Sequence, residues 1–347
     1  MAEEKFRQNN FDFLRFFFAF IVVIGHLIEL SKVPNIQFLQ PYFNAYVSVT
    51  GFFCISGFLI TRSYINTSSL SKFFSKRAGR LLPAYIFVVF ASALLLHFVS
   101  VLPAKDYFSN TQLYKYLLAN LSFLNFIEPC LPGVFISDGY HCAVNGALWT
   151  LKIEVSFYLI VPLFLYFVEK TNRKFAVLFI VYLLAVLYRN GLNHLAETTG
   201  NENYLFISRQ LPGFMSYFVS GIALHYFYEI LIKHKTTVFL IGLVLFSIDK
   251  FIPFEIFAPI GLSFMIFTFA YSLKKLNNFG KYGDISYGIY IFHFPLIQLA
   301  VHLNLFEKYN PILVGILTIT FVLAAGFASW HLLEKRWIIK FSTRGRL

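Results

Sequence analysis

The feature that most constrains this chain is a series of apolar runs about 20 residues long, the length an α-helix needs to cross a bilayer. Apolar residues make up 58% of the sequence and charged residues 13%. A soluble domain carries about 25% charged residues, so the composition points to a membrane protein. Lipid offers the backbone no hydrogen-bond partners, and such runs therefore fold as helices. We predict an all-α, polytopic transmembrane helical bundle.

The apolar runs predict ten spans in a single membrane domain, residues 1–347. The predicted spans are 12–30, 45–64, 81–102, 148–168, 174–190, 210–229, 236–252, 255–273, 285–304 and 311–333. An even number of spans places both termini on the same side of the membrane. That side holds 21 of the 29 Lys and Arg residues when Arg15 is counted with it. The positive-inside rule then predicts that both termini are cytoplasmic.

The net charge of +12 is explained by the basic residues on the predicted cytoplasmic side. Basic residues at the cytoplasmic ends of spans face anionic lipid head groups, so we expect membrane lipids as partners and no nucleic acid. The sequence has no paired CxxC motif, and we expect no metal site.

One long non-cytoplasmic loop is predicted at residues 103–146, and part of it has helical spacing near 110–126. It contains Cys130 and Cys142, which an oxidising compartment would allow to form a disulfide. Two free thiols are the alternative. Long loops beside a membrane core are often functional.

The first predicted span carries charge where lipid disfavours it. In FDFLRFFFAFIVVIGHLIEL, residues 11–30, Asp12, Arg15 and His26 fall on one face of a helix. Arg15 and His26 are about 16 Å apart along the axis. Each residue alone has an ordinary explanation, a snorkelling arginine and a hydrogen-bonded histidine. Aligned on one stripe, they favour a polar cavity.

Three other segments carry ionisable groups at or in the membrane. Lys76, Arg77 and Arg80 precede the third span, a pattern that suits phosphate but also fits ordinary positive-inside charge. Glu154 lies inside the fourth span, four residues before Tyr158 on the same face. His293 lies inside the ninth span, where a packed, hydrogen-bonded histidine is the alternative to a functional one.

Together these segments resemble the acyltransferase 3 family of integral-membrane acyltransferases. The similar segments are Asp12–Arg15–His26 in the first span, GFFCISGFLIT (51–61, containing Ser56), Lys76–Arg77–Arg80–Pro83, NGALWTLKIE (145–154, containing Trp149 and Glu154), SYGIYIFHFP (286–295, containing Tyr290 and His293), and Glu334 at the end of the last span. Two departures stand out. Lys76 replaces an arginine of the basic motif, and Val155 and Ser156 replace a second acid and a glutamine that many members carry.

The resemblance implies transfer of an acyl group, usually acetyl, from cytoplasmic acyl-CoA to a hydroxyl of a cell-surface glycan or lipid-linked saccharide. It implies a bacterial inner membrane, acyl-CoA as co-substrate, and no permanently bound cofactor. His26 is then the expected general base or acyl carrier, because its unperturbed pKa of about 6.5 suits proton abstraction near neutral pH.

The same resemblance assigns supporting roles. Arg15, Lys76, Arg77 and Arg80 are expected to bind the CoA phosphates. Glu154 would orient His26 or bind the acceptor, and Asp12 would position Arg15. The residues expected to line the cavity or support it are Ser56, Trp149, Tyr158, Tyr290 and His293.

Two other classes of protein remain open from the sequence. A proton-coupled transporter or exporter would use His26 and Glu154 to relay protons. A receptor-like or scaffolding membrane protein would need no turnover at all. Consumption of acetyl-CoA separates the enzyme from both.

Overall fold

The structure is a computed structural model, and it describes residues 8–136, 142–252 and 254–343. Within these ranges the regular elements are helices, and no β-strand is present. The first and last predicted cytoplasmic residues, and residues 137–141 of the predicted loop 103–146, lie outside the described residues.

The α-helices are numbered here in chain order. They are α1 (Phe11–Ser31), α2 (Ala45–Ile65), α3 (Leu70–Leu95), α4 (Ala104–Ser109), α5 (Thr111–Leu121), α6 (Trp149–Lys170), α7 (Lys174–Thr199), α8 (Asn203–Ser208), α9 (Leu211–Tyr226), α10 (Tyr228–Lys233), α11 (Lys235–Ile248), α12 (Ala258–Ala270), α13 (Ser286–His302), α14 (Leu305–Lys308), α15 (Pro311–Ser329) and α16 (Lys335–Thr343). Short 3₁₀ turns lie at Pro34–Leu39, Leu96–Val99, Gly146–Leu148, Asp249–Phe251, Lys274–Leu276 and Phe279–Tyr282, and Trp330–Glu334 is π-helical.

Among the described residues, six helical segments are long and apolar enough to cross a membrane. They are Phe11–Ser31, Ala45–Ile65, Leu70–Val99, Gly146–Lys170, Lys174–Thr199 and Pro311–Phe341. A seventh is possible if Lys274–Tyr282 and Ser286–His302, which meet at a 65° bend, count as one span. The chain is therefore all-helical and suited to a membrane, and ten spans stay a prediction.

The difference from ten arises at the predicted spans 210–229, 236–252 and 255–273, which form shorter helices. α9 has 16 residues, α11 has 14 and α12 has 13. The helix is interrupted at Phe227, which ends α9, and a 3₁₀ turn at Asp249–Phe251 ends α11. Apolar composition extends across these breaks, which is why the sequence reads each run as longer than the helix it forms.

The chain divides into two compact units. The first contains Tyr46–Phe73 and Ile153–Lys281 together with residues 8–15. In it α7 packs on α9, and α11 packs on α12. Gly57 of α2 and Gly221 of α9 bring two backbones together, since a Cβ at Gly57 would collide with the Phe218 carbonyl oxygen. Small residues permit such close crossings between membrane helices.

The second unit contains Phe16–Ala45, Phe74–Lys152 and the described part of Tyr282–Leu347. Here α13 packs along α15. The contact passes through glycines, because a Cβ at Gly288 would lie 2.8 Å from the Cα atom of Gly326. This close packing holds α13, the helix that carries His293, in a fixed position within the unit.

Candidate active site

Two histidines that are 267 residues apart in sequence meet inside the second unit. Nδ1 of His26, on α1, lies 2.9 Å from Nε2 of His293, on α13. The rings stack with centroids 5.0 Å apart, and the ring of Phe294 stands edge-on to His26 at 5.4 Å. His293 is fully buried, whereas His26 is only partly buried. The buried His293 thus contacts and holds the partly exposed ring of His26.

His293 is also fixed from its other side. Its Nδ1 lies 2.7 Å from the backbone carbonyl oxygen of Tyr290, one turn earlier on α13. None of the hydrogen bonds that the structure gives His293 involves a carboxylate. The pair is therefore built from imidazole and backbone groups.

The segment before α6 docks onto α13 by completing its backbone hydrogen bonding. Pro295 lies inside α13 and has no N–H, so the carbonyl of Ile291 loses its usual helical donor. The side-chain amide of Asn145 replaces that donor, with Nδ2 2.9 Å from the Ile291 oxygen. The Asn145 Oδ1 atom accepts from the Ala147 N–H at 3.2 Å and caps a 3₁₀ turn. Asparagine suits this position because it offers both a donor and an acceptor.

The rest of the same segment fits closely against α13. The hydroxyl of Tyr290 lies 2.6 Å from Oγ1 of Thr150. Gly146 leaves room for an aromatic ring, since a Cβ there would come within 2.7 Å of Phe294. Trp149 follows at the first position of α6 and is half-buried. The two sequence segments that contain Asn145 and His293 thus form one packed structure.

The basic segment of α3 reaches the other end of α13. Arg80 pairs with Asp284 at 2.5 Å, and Asp284 is buried. Asp284 also accepts from the Ser286 N–H and hydroxyl at the start of α13. The hydroxyl of Tyr287 donates to the Leu81 carbonyl at 2.9 Å. Arg80 therefore anchors α13 in this structure.

Lys76 and Arg77 lie about one turn before Arg80 on α3 and are half-buried. Asp284 precedes His293 by nine residues, so the anchored end of α13 is about 14 Å from the histidine pair along the helix axis. A basic group and a base at this separation suit an elongated ligand with an anionic end.

In the first unit, Asp12 and Arg15 form an ion pair one turn apart on α1. Glu154 accepts a hydrogen bond from the Tyr158 hydroxyl, also one turn apart, on α6. Ser56 lies on α2 and is half-buried. The expected role of Asp12 in positioning Arg15 and the roles of Glu154, Tyr158 and Ser56 stay predictions.

The first unit also contains a buried charged cluster that was not predicted from the sequence. Arg189 pairs with Glu255 through Nε and Oε2 at 2.6 Å, with the two side chains 8% and 21% exposed. The hydroxyls of Tyr46 and Tyr217 donate to Glu255 at 2.7 and 2.8 Å. The Asn190 side chain accepts from the Glu255 N–H at 3.0 Å. Arg189 falls inside a predicted span, and that position was the signal available in the sequence.

An apolar cavity of about 290 Å³ is also present in the first unit, between α7, α9, α10 and α12. Its hydroxyl-bearing side chains, Tyr182, Ser220 and Ser263, each donate to a backbone carbonyl. The cavity has no acid, base or cation in its wall, so it offers no group for acid–base chemistry.

The described part of segment 103–146 is well packed. Cys130 and Cys142 form a disulfide, with Cα atoms 5.2 Å apart. The hydroxyl of Tyr107 donates to the Ala93 carbonyl at 2.8 Å, and burial raises the pKa of Tyr107 to about 12. The hydroxyl of Tyr85, on α3, donates to the Asn120 carbonyl at 2.6 Å. These contacts hold α4 and α5 against α3 within the second unit.

Among the described residues, no group of three or more His, Cys, Asp and Glu side chains could hold a metal ion.

Comparison with known proteins places these residues in a family context. The family model described as an acyltransferase domain, that of acyltransferase family 3, matches residues 8–331. The chain is 27% identical to an O-acetyl transferase of Shigella phage Sf6, over 97% of this chain and 98% of that protein. It is 28% identical to nodulation protein 10 of Rhizobium leguminosarum bv. viciae, over 85% and 84%.

A putative peptidoglycan O-acetyltransferase of Bacillus subtilis is 26% identical, over 84% of this chain and 50% of that protein. No solved structure matches the chain. The matched region includes the residues of the histidine pair, of the Asn145 segment and of the Arg80–Asp284 anchor.

Proposed function

The chain belongs to the acyltransferase 3 family, and on that premise we propose that it is an integral-membrane O-acyltransferase that uses cytoplasmic acyl-CoA. The proposed acceptor is a hydroxyl of a cell-surface glycan or lipid-linked saccharide, and the proposed acyl group is acetyl. Two of the relatives are named as O-acetyl transferases, which supports the reaction class. The observation that carries the proposal is the partly accessible His26 held by the buried His293.

In this mechanism His26 takes the proton of the acceptor hydroxyl as its oxygen attacks the thioester carbonyl. The new C–O bond forms and the C–S bond breaks. The departing CoA thiolate then takes the proton from His26. Alternatively, His26 first accepts the acyl group itself and then passes it to the hydroxyl. Both routes need a histidine nitrogen with a free lone pair.

The donor is proposed to lie with its phosphates at the basic segment and its thioester at the histidine pair. The separation of about 14 Å along α13 suits the thin arm that joins the CoA phosphates to the thioester. Lys76, Arg77 and Arg80 are proposed to contact the phosphates, with Arg80 also paired with Asp284. The phosphate-binding role of Arg15 stays a prediction.

We place the protein in a bacterial inner membrane with ten spans and both termini cytoplasmic, counting the shorter helices α9, α11 and α12 as spans. The packed segment 103–136 would then face the acceptor side, where it contributes to acceptor choice. The role of Glu154 in binding the acceptor also stays a prediction. A reporter that folds only in the cytoplasm, fused to either terminus, is expected to be active.

The test is release of CoA from acetyl-CoA by the purified protein in lipid nanodiscs, with and without glycan and lipid-linked saccharide acceptors. Acceptor-dependent release, with acetate ester formed on the acceptor, supports the proposal. If wild-type protein neither binds nor consumes acetyl-CoA or longer acyl-CoA with any acceptor, the enzyme proposal fails. A proton-coupled transporter would then be the function to test.

A further inference from the structure

The hydrogen bonds of the histidine pair determine which nitrogen of His26 holds the lone pair. A backbone carbonyl oxygen can only accept a hydrogen bond. Nδ1 of His293 lies 2.7 Å from the Tyr290 carbonyl oxygen, so this nitrogen must carry a proton. The tautomer of His293 is therefore set by the backbone of its own helix.

Burial favours the neutral form of His293. His293 is fully buried inside a membrane protein, and its hydrogen bonds are to backbone groups of its own helix and to another imidazole. An ionised group in such surroundings costs several kcal/mol unless a counter-charge is present, so the neutral form is favoured. A neutral His293 with its proton on Nδ1 has a lone pair on Nε2.

That lone pair faces the ring of His26. Nε2 of His293 is 2.9 Å from Nδ1 of His26, so Nδ1 of His26 must donate in this contact. A neutral His26 that carries its proton on Nδ1 has its lone pair on Nε2. His26 is partly exposed, and Nε2 is the ring nitrogen that does not contact His293.

We propose that His293 is a positioning residue that holds His26 in the Nδ1–H tautomer, so that Nε2 of His26 is the nitrogen that does the chemistry. This inference rests on the proposed function and adds the direction of the hydrogen bonds: Nδ1–H of His26 donates to Nε2 of His293, and Nδ1–H of His293 donates to the Tyr290 carbonyl. It gives His293 the task that a buried carboxylate has when it orients a catalytic histidine through Nδ1.

The arrangement also accommodates the charge that forms during transfer. When Nε2 of His26 takes the hydroxyl proton, its ring becomes an imidazolium, and Nδ1–H donates more strongly to Nε2 of His293. The proton on Nε2 then goes to the CoA thiolate, and the starting tautomers are restored. If His26 is acylated instead, Nε2 forms the N–acyl bond as the C–S bond breaks. The acyl-imidazolium keeps its Nδ1–H bonded to Nε2 of His293; when the acceptor hydroxyl attacks the acyl carbonyl, the N–acyl bond breaks, Nε2 of His26 regains its lone pair, and the hydroxyl proton goes to the CoA thiolate.

The experiment compares His293→Leu, which removes the acceptor, with His293→Gln, whose side-chain oxygen can replace it. Protein labelled with ¹⁵N in its histidine rings is reconstituted in nanodiscs, and the His26 signals are assigned by difference from His26→Gln. Ring nitrogen shifts distinguish protonated from lone-pair nitrogens. The expected result is Nδ1–H on His26 in wild type and in His293→Gln, and loss of this preference in His293→Leu.

Kinetics provide the second readout. We expect His293→Leu to lower kcat by about 10²-fold or more with little change in the KM for acetyl-CoA, and His293→Gln to recover much of the loss. The inference is overturned if wild-type His26 carries its proton on Nε2, or if its tautomer is unchanged in His293→Leu. It is also overturned if folded His293→Leu keeps the wild-type kcat.

The ring spectra need no turnover, so the two proposals can fail separately. Protein with the expected tautomers but no activity towards any acyl-CoA would refute the proposed function and leave the tautomer assignment intact.

Discussion

The Asn145 side chain and Pro295 together predict a specific energetic coupling. Pro295 deprives the Ile291 carbonyl of its helical donor, and Asn145 supplies the replacement at 2.9 Å. In Asn145→Ala the buried carbonyl is left unsatisfied, which costs about 1–3 kcal/mol. Loss of the cap on Ala147 adds about 1 kcal/mol. The single substitution is therefore expected to lower the free energy of unfolding by about 2–4 kcal/mol.

The matched background is Pro295→Ala, which restores an N–H at position 295. The Ile291 carbonyl then regains its own helical partner, and Asn145→Ala should cost only about 1 kcal/mol, the value of the cap. Equilibrium unfolding in mixed detergent micelles of wild type, both single variants and the double variant gives the coupling energy, expected to be about 1–3 kcal/mol. If Asn145→Ala costs the same in both backgrounds, the replacement of the proline-deleted hydrogen bond by Asn145 is refuted.

Three further predictions concern stability, each measured by unfolding of the purified protein. Arg189→Met removes one partner of the buried Arg189–Glu255 pair and should lower the free energy of unfolding by about 3–5 kcal/mol. The Arg189→Met/Glu255→Gln double variant should lose less stability than the sum of the two single variants. Additive losses would mean that the two side chains are not energetically coupled. Gly57→Ala should be strongly destabilising because its new Cβ would collide with the Phe218 backbone. Gly191 has no atom within 4 Å of the position that a Cβ would take, so Gly191→Ala should stabilise α7 by about 0.5–1 kcal/mol. Similar effects at both glycines would contradict the close helix crossing at Gly57. Cys130→Ser should lower stability by about 3 kcal/mol through loss of a short closed loop, and a reductant should lower wild-type stability but not that of the variant.

The sequence predicted the helical class and the position of most helices because lipid leaves the backbone few choices. Apolar runs and helices agree closely at α1, predicted as 12–30 and found as Phe11–Ser31. They agree less well at α12, predicted as 255–273 and found as Ala258–Ala270. Phe, Ile and Leu occur both in the helix and in its flanks there, so hydropathy does not show where the helical hydrogen bonds end.

The candidate site was predicted as a set of residues, and their pairing was not. His26 was identified because a histidine in an apolar run is costly, and the same reasoning reached His293. That the two rings touch depends on how α1 and α13 pack, which residues 267 positions apart do not reveal. The sequence left open whether His293 is packed and hydrogen-bonded or functional, and the structure shows that it is buried and bonded to His26.

For Arg80 the sequence indicated the charge but not its ion-pair partner. Its place in a basic cluster predicted a phosphate ligand, and the structure pairs it with Asp284, 204 residues away. Charge patterns show where cations lie along the chain, but a distant carboxylate changes what a given cation is available to do. The Arg189–Glu255 pair was missed for the same reason.

Acetyl transfer by His26→Ala is the most direct measurement of whether His26 carries the transfer chemistry. Wild type, His26→Ala and His194→Ala, a control at an exposed histidine on α7, are reconstituted at equal protein level with labelled acetyl-CoA and the acceptor. We expect His26→Ala to lose about 10²–10⁴-fold in rate while His194→Ala matches wild type. A folded His26→Ala that transfers acetyl at the wild-type rate would contradict the account.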